Sequence, residues 1–276
     1  MAGRVLRLTR VELLKLVRHP FFPLSLVLLA AATLLGAWAQ SDLFGSQATV
    51  WRGPHALLLF AFGAKAGLKL ASFLLVIFGS LFFAGEFDKG TIKILLTRPV
   101  TRTDLFTAKC LTGLVLAALF IGAVLALSFG FGCLKGELGP VWDSEQYISA
   151  TSTEQISEHA MKAIRLSVAG VVAAVFLGIA VSTFVESSGF AVAAALTLFI
   201  GMDLGLGFMR EEKARYLFSW YPSYAFDTLR SYAEGSATRW RPAVEEGSIW
   251  LVVPAASAGV CTVVGYILFR VRNILA

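Results

Sequence analysis

The chain has 276 residues and a formal net charge of +6, and it is 57% hydrophobic but only 15% charged, with a mean hydropathy of +0.74. Soluble domains carry about a quarter charged residues, so this composition excludes an ordinary soluble fold. A pI near 9.4 would suit nucleic acid, but here the basic residues flank apolar runs; membrane lipids are the expected partner and nucleic acid is not.

Residues 1–19 read as an amphipathic helix lying on a membrane surface. At 100° per residue, Arg4, Arg7, Lys15 and Arg18 share one side, and Val5, Leu6, Leu13, Leu16 and Val17 the other. Leu8, Val11 and Leu14 interrupt the polar side, so the stretch also fits a simple basic anchor. His19-Pro20 ends it, because proline disfavours helix in the residue before it.

Six runs then reach the roughly 20 apolar residues needed to cross about 30 Å of hydrocarbon: 21–39, 66–84, 110–133, 163–185, 189–208 and 248–269. Barrel strands would show weaker, alternating segments of about ten residues. The expected fold is an all-α polytopic membrane protein with six transmembrane helices, forming one transmembrane domain over 1–276. The first run follows basic residues, yet it has spanning length and no convincing cleavage site, so it is expected to be retained.

The connections differ in kind. Residues 40–65 form a modest loop. The segment 85–109, between the second and third spans, is charged and punctuated: Gly90 and Pro99 bracket a short helical pattern in which Ile92, Leu95 and Leu96 share a face. Thr101 and Asp104 then have capping-box spacing and predict a helix running into the third span. Such an element suits either a partner's groove or a place against its own spans. The connection 134–162 is acidic, and Ser152-Thr153-Glu154-Gln155 is a candidate helix start. Glu186-Ser187-Ser188 leaves only a tight turn between the fourth and fifth spans. Residues 209–247 are aromatic around Pro222, which predicts short helices at the interface, either as a folded lid or as an aromatic belt.

If the N-terminus is cytoplasmic, the inner segments hold twelve basic and five acidic residues and the outer ones eleven and twelve. The positive-inside rule then favours both termini in the cytoplasm. Two features stand apart inside the runs. Asp203 lies in the fifth, where an ionisable residue faces a cavity or partner unless it is simply hydrated near the outer interface. Gly201 and Gly205 have the spacing that permits close helix approach. Cys110, Cys133 and Cys261 lie in or at the ends of spans, with no metal-ligand spacing and no expected disulfide.

No phosphate-binding loop, zinc-protease motif or nucleophile elbow occurs, so no catalytic or metal residue is assigned. Energy must then come from an ion gradient or another subunit. The run Gly85-Glu86-x-x-x-Gly90-Thr91-x-x-x-Leu95-Leu96-Thr97-x-Pro99-x-x-Arg102, with Lys109 seven residues on, resembles the signature of ABC-2 type permeases, the membrane subunits of one class of ATP-binding-cassette exporters. Tyr221-Pro222-Ser223-Tyr224-Ala225-Phe226-Asp227 resembles that family more loosely. The resemblance implies that 85–109 is a coupling loop seated on a separate ABC ATPase subunit, which would hold the ATP and Mg. It also implies a second permease copy, identical or similar, in a bacterial plasma (inner) membrane. Glu86, Gly90, Thr91, Leu95, Leu96, Pro99, Arg102 and Lys109 would transmit ATP-driven motion, with Glu86 and Arg102 making ion pairs and Glu186 marking a smaller second contact. Lys65, Lys69 and Asp203 would approach the translocation path. The rival readings are a gradient-driven carrier or channel, and a non-transporting membrane anchor for an ATPase in envelope assembly or motility.

Overall fold

The computed structural model describes residues 2–43, 56–91, 101–136, 141–142, 149–151, 153–233 and 249–271. In chain order it contains α1 (Ala2–Arg18), α2 (Phe21–Leu43), α3 (Ala56–Asp88), α4 (Arg102–Lys135), β1 (Val141–Trp142), β2 (Ser149–Thr151), α5 (Thr153–Phe184), α6 (Ser188–Leu206), α7 (Glu211–Ala214), α8 (Trp220–Ala233) and α9 (Ile249–Val271). Among the described residues six helices, α2 to α6 and α9, are long and apolar enough to cross a membrane. The fold is all-α and polytopic; the antiparallel β1–β2 pair is a small clasp in the α4–α5 connection.

The apolar runs understate the helices. α3 has 33 residues and α4 has 34, about 50 Å each at 1.5 Å per residue, against roughly 30 Å of hydrocarbon. Helical hydrogen bonding therefore continues past the apolar stretch into polar sequence. Lys65, expected in a loop, lies inside α3, while the fourth span begins at Thr153, within the candidate helix start at residues 152–155.

α3 is the hub. It packs on α2, α4, α5, α6 and α8, and 67% of its most apolar window is buried, against 17% for α6 and 11% for α9. In lipid, apolar surface gains nothing by leaving one hydrocarbon for another, so close packing decides which helices meet. Among the described glycines the closest approach to another helix's backbone is α3 on α5, where a Cβ built on Gly79 would lie 2.6 Å from the Val175 carbonyl oxygen. One built on Gly178 would lie 2.5 Å from that of Val76. Gly201 and Gly205 make no comparable approach: a Cβ on Gly201 would meet nothing within 4 Å. Rings fill the larger spaces, with Phe78 between Phe21 and Phe120 at centroid distances of 5.2 and 6.0 Å.

α8 is docked in the bundle. Tyr221, Ala225, Phe226 and Leu229 are buried against α3 and α5. Pro222 is accommodated in the first turn, where its missing N–H costs no hydrogen bond, and Gly170 of α5 leaves room for its ring.

α1 departs from its sequence pattern. It lies along α4, with Thr9 and Glu12 buried and Val5, Leu8, Leu13 and Leu16 half-buried, while Leu6 and Val17 are exposed. The face turned inward is thus centred on an acidic residue. The polar contacts of Glu12 with α4, described below, outweigh the simple apolar stripe in setting the rotation.

Candidate functional site

The segment 85–109 leaves α3 and enters α4, and both of its roots are anchored. Lys109 is 1% exposed, a position where an unpaired ammonium would be prohibitively costly. Its Nζ donates to the Phe82 carbonyl at 2.6 Å and stands 3.1 Å from Glu86 Oε2 and 3.4 Å from Glu12 Oε2. The Phe82 carbonyl and Glu12 accept hydrogen bonds from this ammonium, Glu86 Oε2 faces it as a counter-charge without a hydrogen bond, and the Phe83 ring centroid lies 5.1 Å from the same nitrogen. Lys15 closes the cluster, contacting Glu12 Oε1 at 2.8 Å and Glu86 Oε1 at 3.0 Å. Two lysines and two glutamates from α1, α3 and α4 thus form a neutral knot.

The titration of the α1 members reflects this. Burial alone would raise the Glu12 carboxyl, but the charges of Lys109 and then Lys15 overcome it and hold the group below its ordinary 4.5. Lys15 is pushed above 10.5: burial opposes its charge, and hydrogen bonding and attraction to Glu12 and Glu86 more than compensate.

The exit of the segment is fixed differently. Thr101 caps α4, its Oγ1 accepting from the Asp104 amide at 3.1 Å, which satisfies an otherwise orphaned donor. Arg102 donates from Nη1 to the carbonyls of Phe269 and Arg270 at 3.3 and 2.9 Å. Those are C-terminal carbonyls of α9, which favour a cation. Thr103 and the Tyr266 hydroxyl are 3.0 Å apart, and Phe83, Phe106 and Phe269 stack beneath them. The start of α4 is thereby sewn to the last span.

At the other root Gly90 adopts φ 64°, a left-handed turn that glycine takes without steric cost, and Thr91 Oγ1 donates to the Glu86 carbonyl at 3.4 Å. Leu95, Leu96 and Pro99 lie outside the described residues. The α5–α6 turn comes alongside: Ser188 Oγ donates to Asp88 Oδ2 at 2.6 Å, and Glu186 is exposed in that turn.

The opposite end of α3 carries the other candidates. Lys65 Nζ is 2.5 Å from Asp227 Oδ1 on α8, and Lys69, one turn on, pairs with Asp203 near the end of α6. Of the two readings left open for Asp203, the structure places it on a partner, within an ion pair that is about a quarter exposed.

Sequence reasoning missed Glu12 and Asp227. Glu12 is the one acidic residue of α1, a signal that was available. Asp227 closes the aromatic stretch that begins at Tyr221, but nothing in its spacing points to Lys65, 162 residues away.

Comparison with curated proteins finds no match. The family model described as ABC-2 family transporter protein matches residues 8–204. That stretch contains α1 from Leu8 onward, the knot, the segment 85–109, the first four spans and the fifth as far as Leu204. The chain belongs to the ABC-2 transporter family, as a multi-pass transmembrane permease of an ABC transporter.

Proposed function

We propose that this permease moves its substrate outward using ATP hydrolysed by a separate ABC ATPase subunit, and that 85–109 is the segment seated on that ATPase. The observation that carries this reading is the anchoring of both roots: the knot of Glu12, Lys15, Glu86 and Lys109 at one, and Arg102 on the α9 carbonyls at the other. A force applied to a segment held this way shifts α1, α3, α4 and α9 together, rather than being absorbed in a slack loop. Gly90 and Thr91 shape the departure from α3, Pro99 punctuates the segment, and Leu95 with Leu96 supply apolar teeth for the ATPase cleft. Glu186 stands in a smaller second contact, beside the Ser188–Asp88 bond. ATP and its Mg belong to the ATPase.

In this reading both termini and 85–109 are cytoplasmic, in keeping with the charge bias; the membrane is a bacterial plasma membrane; and two permease copies pair with two ATPases. Lys65, Lys69, Asp203 and Asp227 then lie toward the outer side, with lysines and Asp203 along the path. A gradient-driven carrier would place paired charges at mid-membrane. Lys65 is 21 residues from Glu86, about 32 Å along the helix, so its pair belongs near an interface.

The test is co-purification. The chain co-expressed with its ATPase is expected to retain it, and the double variant Leu95→Asp, Leu96→Asp is expected to lose it while remaining in the membrane. Normal retention and ATP hydrolysis by that variant would overturn the assignment of the segment. Labelling of a cysteine placed at Lys89 by an impermeant reagent on intact cells would overturn its cytoplasmic placement.

A further inference from the structure

Four contacts seam one face of α3 to the far-end elements, at positions 62, 65, 69 and 73, each about one helical turn apart. The Arg230 guanidinium lies over the Phe62 ring at 4.8 Å. Lys65 then meets Asp227, Lys69 meets Asp203, and Phe73 stands edge-on to Phe199 at 5.0 Å. The two middle rungs are ion pairs, and aromatic rings bound them above and below. We infer that Lys65 and Lys69 form a binding site for an anionic headgroup, a phosphate or carboxylate on an apolar body, at which Asp227 and Asp203 serve as internal stand-ins. The inference rests on the transport reading for the statement that the occupant is cargo.

Three features separate this from a purely structural seam. The ammoniums are adjacent on one helix, while their counter-charges come from two other elements, α8 and α6, so moving either element uncovers a lysine. The pairs are not sealed: side-chain exposure is 39% and 49% for Lys65 and Asp227, and 29% and 24% for Lys69 and Asp203. An arriving anion can therefore reach the lysines without unfolding. Exchange also keeps each ammonium paired throughout, whereas a well-packed apolar contact would hold the seam at least as well and offer an anion nothing. The partly exposed rings of Phe62 and Phe73 supply apolar surface on either side of the charges, which suits an amphiphile over a small inorganic anion.

The experiment uses the full chain in phosphatidylcholine nanodiscs with dodecyl phosphate as probe and dodecanol as neutral control, counting retained probe by native mass spectrometry. Saturable retention of dodecyl phosphate over dodecanol is expected. Lys65→Met with Lys69→Met is expected to remove it. Asp203→Asn with Asp227→Asn is expected to tighten it about tenfold, because the internal competitor is gone. The exchange Lys69→Asp with Asp203→Lys guards against misfolding: it keeps the ion pair and the thermal stability but should weaken retention about tenfold. Equal retention by wild type and the double Met variant, or no gain in the double Asn variant, overturns the site. A second arm replaces the probe with phosphatidylglycerol in the disc. Lysine-dependent retention there assigns the anion to bilayer lipid, and retention of dodecyl phosphate alone assigns it to a separate amphiphile. No ATPase is present, so loss of binding sinks the site alone, whereas failed ATPase co-purification sinks the coupling reading alone.

Discussion

The two ends of α3 both hold lysines against carboxylates, but they do so in opposite ways. At the 85–109 end, Lys109 is 1% exposed and surrounded by Glu12, Glu86 and a backbone carbonyl, with Lys15 completing a neutral cluster across α1, α3 and α4. At the far end, Lys65 and Lys69 each take one aspartate in a contact open to its surroundings. Breaking a buried, multiply bonded charge strands its partners in low dielectric, whereas a half-exposed pair has water to fall back on. The first arrangement suits a rigid joint, the second a contact that opens and closes.

The largest effect should come from Lys109→Met. It leaves the Glu12 and Glu86 carboxylates to share Lys15 alone, with one negative charge uncompensated in a largely buried cluster, and a loss of roughly 3–5 kcal/mol is expected, read as a large fall in the thermal unfolding temperature of the detergent-solubilised chain. A variant as stable as wild type would break the comparison at its strong end. Next is Gly178→Val, which forces a side chain into the α3 backbone at the crossing between the two ends. Overpacking typically costs about 1–3 kcal/mol, and with backbone on the far side the upper end is expected by the same measurement. Lys65→Met should fall within about 1 kcal/mol, as half-exposed pairs do; a loss as large as that of Lys109→Met would erase the distinction.

The smallest effect is set by pH. Because the folded Glu12 carboxyl lies below 4.5, its contribution to docking α1 is complete above that value and is lost as pH falls through the folded value. Hydrogen exchange of the α1 amides, corrected for intrinsic rate, should be flat from about pH 8 to 5 and rise only below about 4.5. Faster exchange already at pH 6 would contradict a depressed carboxyl. Lys15, raised above 10.5, works in the other direction, and its contribution is lost only at strongly alkaline pH.

Much of this architecture was open to the residues alone. Six spans follow from apolar length, because hydrocarbon thickness is a fixed ruler. The α4 start follows from Thr101 and Asp104, because a cap is a local hydrogen bond. The Gly90 turn and the 85–109 signature are also local, and the family match over residues 8–204 rests on the same linear order. The start of α3 lies well before the apolar run that begins at residue 66, since apolarity marks only the part of a helix inside hydrocarbon.

What only the tertiary structure decided is which distant charges meet. Glu12 with Lys109 and Lys65 with Asp227 are separated by 97 and 162 residues, and no periodicity carries information over such distances. The rotation of α1 and the choice of Gly79 and Gly178 over Gly201 and Gly205 as the close crossing belong to the same class. Each depends on complementary partners on another helix, and a single helix's pattern states only what it could bury, not what it finds.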